Sequence, residues 1–294
     1  MIILLNARQD FVAFTYLSSP LRASPLFGRD FKMGYGDDII GTGLARGFAK
    51  RGSLAAFGDG KRIIWGPWSE EMFRHNPNIA RPGVHSLSQV EWVSHHKGNR
   101  MYNKSVNGKW VWNYKFKVTP GEFYFDQNEK KLANTFHTGF TVIEPNLPWQ
   151  KKVASNKDWG AENFDKVNEV LQKCGHRVIQ FEHNNTKRRL ANATFLKFNN
   201  FRDVIAVLSK ASLFIGHEGG MHHAAAAVGV KAVVIMGGFI PPSVIGYDAH
   251  VNLTGGVEAC GNIEPCVHCR NAMKKITPDE VVVSAGKLIE GEAA

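Results

Sequence analysis

Long apolar runs are missing from this chain of 294 residues. The longest, 224–230 and 232–236, fall far short of the roughly 20 residues that a spanning helix needs, and Lys231 divides them. A transmembrane helix is therefore not expected. The opening Ile2-Ile3-Leu4-Leu5 is too short for a signal-peptide core and follows no charged region, so the expected location is the cytoplasm. Cysteine is scarce as well: four residues are too few for a disulfide scaffold. Low-complexity tracts and internal repeats are absent, and 44% hydrophobic with 21% charged residues excludes a disordered or fibrous chain. What the chain holds in excess is positive charge, a net +10 with a pI near 9.4. That excess calls for an anionic partner, whether a phosphorylated small molecule, an acidic lipid surface or nucleic acid. The basic residues are spread out with no dense block, which weakens the case for a nucleic-acid-binding tail.

The length suits two domains of roughly 130 to 150 residues better than one core. A boundary is expected within 127–139, which gives domains at 1–135 and 136–294. The second half alternates strands at 140–144, 177–181, 194–198, 213–215 and 232–236 with helices at 161–174, 202–210 and 221–228, and a last helix near 278–288. That alternation predicts an α/β fold with a mostly parallel sheet covered by helices. Phe164, Val167, Val170 and Leu171 form one apolar helix face, and Val204, Ile205, Val207 and Leu208 another. The first half is less regular. Its firmest element is a helix over 37–50, with Ile39, Ile40, Leu44 and Phe48 on one side, acids at its start and Gly52 beyond its end. A strand, loop and helix are expected over 65–78, and loops with short strands over 95–124.

The sharpest motif is Phe214-Ile215-Gly216-His217-Glu218-Gly219-Gly220-Met221-His222-His223, followed by four alanines. An apolar strand is expected to stop at Gly216, turn through small residues and enter a helix. The unpaired amides and positive dipole end of a first helical turn make an anion site, and glycines let a ligand approach the main chain. The same pattern also suits a plain strand-to-helix connection. Its place at the carboxyl end of a parallel strand favours a ligand, most simply a nucleotide diphosphate.

Two further places carry chemistry. Met33-Gly34-Tyr35-Gly36-Asp37-Asp38 is a glycine turn that opens the first-half helix, where a carboxylate serves either as a cap or as a general base in a cleft. The loop 145–160 is too long for a simple connection and holds Lys151, Lys152 and Lys157. Lys157, before Asp158-Trp159, is within reach of a phosphate bound at the Gly219 turn; alone, it would read as a solvated surface lysine.

Together these places resemble glycosyltransferase family nine, the family of the bacterial lipopolysaccharide heptosyltransferases. Gly34-Tyr35-Gly36-Asp37 is similar to the family's Gly-x-Gly-Asp turn, Lys157-Asp158-Trp159 to its Lys-x-Trp, and residues 216–229 to its Gly-Asn-Asp-Ser-Gly-Pro-x-His-x-Ala-Ala-Ala-x-Gly signature. In this chain the acidic position is Glu218, the hydroxyl position Gly219 and the proline Met221, while Gly220 and His223 match. Residues 269–281 resemble the family's Cys-rich end followed by Ile-x-Pro-Glu-x-Val. The likeness runs from Asp30 to Val281 in order and spacing.

The resemblance implies a GT-B fold, two Rossmann-like domains facing a central cleft, with the acceptor on the first and the donor on the second. It implies inverting, metal-independent transfer of a sugar, heptose being one candidate, with Asp37 as the base. Lys157, Glu218, Gly219, Gly220, Met221 and His223 would bind the donor. No cofactor is implied beyond the nucleotide-diphosphate sugar itself, taken as ADP-linked. The acceptor is a hydroxyl of a lipopolysaccharide, other glycan or glycolipid, with peripheral contact to an anionic membrane surface. The basic, aromatic stretch 97–117, with Arg100, Lys104, Lys109, Trp110, Trp112 and Tyr114, is either an exposed strand pair or a surface that stacks sugars or bases; it is assigned to the acceptor.

A sugar-nucleotide epimerase or hydrolase on the same architecture and a nucleic-acid-binding or DNA-modifying protein are the alternatives. Cys260, Cys266 and Cys269, with His268 beside them, have thiolate and imidazole chemistry suited to zinc. Their C-x5-C-x2-C spacing lacks a clear fourth ligand, so reduced cysteines are expected. His217, His222 and His223 are expected to face different sides of their helix and to pack or touch a ligand rather than bind a metal.

Overall fold

The computed structural model describes residues 34–184 and 186–291. The Ile2–Leu5 segment, Asp30 and Met33 lie outside them. In the first half, α1 (Tyr35–Ala49) leads to β1 (Leu54–Gly58), α2 (Pro67–Met72), β2 (Val90–His96), β3 (Asn99–Arg100), β4 (Asn103–Val106), β5 (Lys109–Trp112) and α3 (Gln127–Asn134). The second half runs through β6 (Phe140–Glu144), α4 (Ala154–Lys157), α5 (Ala161–Lys173), β7 (Val178–Glu182), β8 (Thr194–Lys197), α6 (Phe201–Leu208), β9 (Ala211–His217) and α7 (Gly220–Ala227). It closes with β10 (Lys231–Ile235), α8 (Pro242–Ile245), β11 (His250–Leu253), α9 (Val267–Lys275) and α10 (Pro278–Glu290).

The second sheet is entirely parallel, in the order β11-β10-β9-β6-β7-β8. Counted from β6, this is the 3-2-1-4-5-6 order of a dinucleotide-binding fold, and its order reverses between β6 and β9. The loop holding Lys157 follows β6 and the glycine turn follows β9, so both open into the crevice at that reversal. Strand alternation divides the apolar residues between two cores. Val142, Phe214 and Val234 join one that includes α7 and residues of α1; Ile143, Ile215 and Val233 join another under α5 and α10.

In the first sheet, β1 and β2 pair in parallel and continue into an antiparallel meander, β2-β3-β4-β5. Its apolar residues merge with the α7 side of the second sheet into one core. A buried charge pair fastens the halves at the edge. Arg202, fully buried on α6, lies 2.5 and 2.9 Å from the Glu129 carboxylate of α3 and donates to the Tyr124 carbonyl at 2.8 Å. Glu71 of α2 accepts from the amides of Phe201 and Arg202 at 2.7 and 3.2 Å, so a first-half carboxylate caps the start of α6.

Several expectations shift: no strand forms within 65–78, where the only regular element is α2, and Val170 lies exposed on α5. β9 does not stop at Gly216: it pairs with β10 through His217, opposite Ile235, and the turn begins at Glu218. Elements β1, β11 and α9 carry no strong periodic signal; β1 is Leu-Ala-Ala-Phe-Gly, and neighbours on both sides hold it in place.

Candidate active site

The first turns of α1 and α7 touch. A Cβ on Gly36 would come within 3.0 Å of the His223 ring and 3.5 Å of the Gly220 backbone, so the approach depends on glycine. The two glycine turns singled out in the sequence, about 180 residues apart, are thus one place in the fold.

Asp37 lies in the first turn of α1, where its Oδ2 accepts from the Gly34 amide at 3.2 Å. Its Oδ1 accepts from the Tyr102 hydroxyl, and the Arg100 guanidinium stands 3.3 Å from Oδ2 as an ion pair without hydrogen-bond alignment. Burial alone would push the Asp37 carboxyl up, but Arg100, His95, Tyr102 and the Gly34 amide together hold it below the usual carboxylate range. Asp38 beside it is fully buried and paired with His95 at 2.6 Å; burial pushes its carboxyl up despite that partner. This pair anchors the start of α1 against β2.

Across the contact, Glu218 forms an ion pair with Lys157, and its other oxygen lies 3.5 Å from His223 Nε2. Burial again opposes charge, and the Lys157 ammonium with the His223 ring overcomes it, which keeps Glu218 ionised. His223 Nδ1 bonds the Tyr247 hydroxyl at 2.9 Å, and Lys157 Nζ stands 5.3 Å from the Phe239 ring centre. Lys151 completes the cluster: its Nζ lies 3.5 Å from where a Gly34 Cβ would be. Burial lowers its pKa, countered in part by Asp37 and Glu218. Two carboxylates thus face three cations, Arg100, Lys151 and Lys157, a balance that favours an anionic ligand. The opening amides of α7, Gly220 and Met221, have no acceptor within their own helix and lie beside this cluster.

The Asp158-Trp159 pair after Lys157 fixes the loop. Asp158 holds Arg188 at 2.8 and 3.0 Å, and the Trp159 indole donates to the Ile276 carbonyl at 2.8 Å. The Trp159 amide donates to His217 Nε2 at 3.1 Å; burial lowers that imidazole to about 3, so His217 is a neutral packing residue. His222 and His223 do not diverge as expected. Their ring centres are 4.7 Å apart, and ligand atoms of Glu218, His222 and His223 lie within 4.8 Å of one another. Lys157 already supplies the cation for Glu218 in that group.

Asp37, Lys157, Glu218, Gly219, Gly220, Met221 and His223 therefore gather at one place. Tyr102, Tyr247 and Lys151 were not assigned to it from the sequence. Tyr102 and Arg100 do fall in the basic, aromatic stretch, whose residues Trp110 and Arg100 also stack at 4.7 Å. A cavity of about 500 Å³ lies elsewhere, beside Arg74 and Arg81, and one of about 450 Å³ between residues 117–120 and Tyr247–His250 borders the cluster at Tyr247. Among the described residues, no helix is long and apolar enough to cross a membrane.

No curated protein sequence matches the chain. Among solved structures, a family 9 glycosyltransferase from Veillonella parvula DSM 2008 aligns over 88% of this chain and 95% of its own, with 14% identity and a TM-score of 0.60. The iron-containing dodecameric glycosyltransferase TibC of enterotoxigenic Escherichia coli H10407 aligns over 88% of this chain and 74% of its own, with 14% identity and a TM-score of 0.55. Both likenesses are of fold, the GT-B arrangement. The profile of glycosyltransferase family 9 (heptosyltransferase) matches residues 101–277, more than half of the chain and all of the β6–β9 crevice, although Asp37 precedes it. With the fold, the crevice and this match in agreement, the chain belongs to glycosyltransferase family 9.

Proposed function

We propose that this glycosyltransferase moves a sugar, heptose first among candidates, from a nucleoside-diphosphate donor to a glycan or glycolipid hydroxyl with inversion. The observation that carries the reading is the meeting of the α1 and α7 turns, which puts a carboxylate and a cation-rich crevice a few ångströms apart. In this reading the division near residue 135 separates an acceptor side from a donor side. Asp37 takes the proton of the acceptor hydroxyl, whose place its Oδ1 now gives to Tyr102. The acceptor oxygen attacks the anomeric carbon, the bond to the diphosphate breaks, and negative charge develops on the leaving group. Lys157, Lys151 and the amides of Gly219, Gly220 and Met221 stabilise that charge, filling the part a divalent metal plays elsewhere. Glu218, freed from Lys157 by the diphosphate, binds sugar hydroxyls, and His223 steadies it.

The +10 charge suits a cytoplasmic enzyme working at an anionic membrane face. The test begins with a thermal-shift screen of nucleotide sugars, ADP-linked ones first. A donor at about 100 times its dissociation constant adds about 2.7 kcal/mol of stability. Transfer from the best ligand should proceed without added Mg²⁺ or Mn²⁺ and yield the inverted anomer. Retention of configuration, or a strict requirement for Mg²⁺ or Mn²⁺, refutes the mechanism.

A further inference from the structure

Three of the four cysteines converge behind the crevice. Cys260 follows β11, Cys266 caps α9 and Cys269 lies in its first turn. Cys260 Sγ is 3.3 Å from Cys269 Sγ and 4.0 Å from Cys266 Sγ, and all three sulfurs fall within 4.8 Å. All three are free thiols. Sulfurs at the corners of a tetrahedron around a metal with bonds of about 2.3 Å stand about 3.8 Å apart, and the observed spacings straddle that value. A backbone amide also faces the cluster. Asn262 N donates to Cys260 Sγ at 3.4 Å. Such an N–H group supports a thiolate, the form that binds metal.

We propose that Cys260, Cys266 and Cys269 hold one thiophilic dication, Zn²⁺ or Fe²⁺, through three thiolates, with the fourth corner open to solvent on the partly exposed side of Cys260 and Cys266. The thiol protons are released as the metal–sulfur bonds form, and no electron is transferred. The ion closes the loop 261–265, which touches both sides of the crevice. Asn156, fully buried and next to Lys157, donates to the carbonyls of Asn262 and Glu264 at 2.7 and 2.8 Å and accepts from the Cys266 amide at 2.8 Å. The same loop accepts from the Trp110 amide of β5 through the Gly261 carbonyl at 2.8 Å. The site is thus a clip between α9, the Lys157 helix and the meander.

The test is elemental analysis of the full chain, purified under reducing conditions without chelator and then equilibrated with Zn²⁺ or, anaerobically, Fe²⁺. About one ion per chain is expected, and its identity decides between the two metals. Co²⁺ in its place should give sulfur-to-metal charge-transfer bands and the intense visible bands of a tetrahedral ion. Cys266→Ser or Cys269→Ser should drop the content to below about one tenth of an ion per chain, while Cys174→Ser, at an exposed cysteine, leaves it at one. If the serine variants fail to fold, the Co²⁺ spectrum of the Cys174→Ser protein decides alone. A chain that takes up no ion, or in which mass spectrometry finds a Cys260–Cys269 disulfide as the stable form, overturns the proposal.

Discussion

Asp37 and Glu218 face each other across the α1–α7 contact, both buried and both held ionised, by different means. Asp37 depends on Arg100 and Tyr102, which come from the irregular meander of the first half, and on the amide of its own helix turn. Glu218 depends on Lys157 and His223, which stand at the sheet reversal of the second half. A guanidinium keeps its charge at any ordinary pH and a phenol can be displaced by an acceptor hydroxyl, which suits a site that removes a proton. An ammonium is a compact charge that can pass from a carboxylate to a diphosphate, which suits a site that binds and releases a donor. Similar electrostatics on the two sides therefore serve different tasks.

The largest test of this division is Asp37→Asn. Initial-rate assays should show turnover reduced about 10³-fold, with donor affinity by calorimetry nearly unchanged. Residual turnover within tenfold of the parent would remove Asp37 from the base role. Next, Glu129→Gln leaves Arg202 buried beside a neutral partner and should cost about 3 kcal/mol in denaturant unfolding, since the two sides must be held in register by the α3–α6 contact. A cost near zero would mean that this pair does not fasten the halves. On the donor side, Glu218→Gln should weaken nucleotide-sugar binding about tenfold, the loss expected of a buried hydrogen bond. It should leave the bare nucleoside diphosphate no weaker, because Lys157 is released; equal weakening of both would contradict the sugar-binding role.

The last test is of pH dependence. Burial lowers His250 to about 4 and His217 to about 3, so both are neutral in the fold yet protonate near 6.5 when unfolded. The unfolded state then binds more protons, and stability that is full above pH 6.5 falls as pH drops toward 4, by about 1 kcal/mol per pH unit for each histidine. Asp37 and Glu218, held low, add the same sign only below about pH 4. His250→Phe should flatten the slope of melting temperature between pH 6.5 and 5, and an unchanged slope would place the titration elsewhere.

Much of the second half was legible because its helices and strands carry the periodicities of buried elements. The strand at Phe140–Glu144 and the helix from Ala161 show this, with Phe164, Val167 and Leu171 on the inner face. The meander was legible only as loops with short strands, since β3 and β4 are short and polar and are held by neighbours rather than by an apolar pattern. The same holds within the site. Asp37, Lys157, Glu218 and His223 sit in recognisable local motifs. Tyr102 and Tyr247 have no motif, and what selects them is contact with a carboxylate or an imidazole far along the chain.

By itself, the sequence determined most helices and strands of the second half, the helix at α1, the excess of positive charge and the two turns where only glycine suits close approach. Those are local properties, set by side-chain periodicity and by the presence or absence of a Cβ. Tertiary structure alone decided that Gly36 meets Gly220, that Tyr102 reaches Asp37 and that Tyr247 reaches His223. Strand order and the packing of α1 on α7 bring these groups together across long stretches of chain, and spacing along the sequence carries no record of that order.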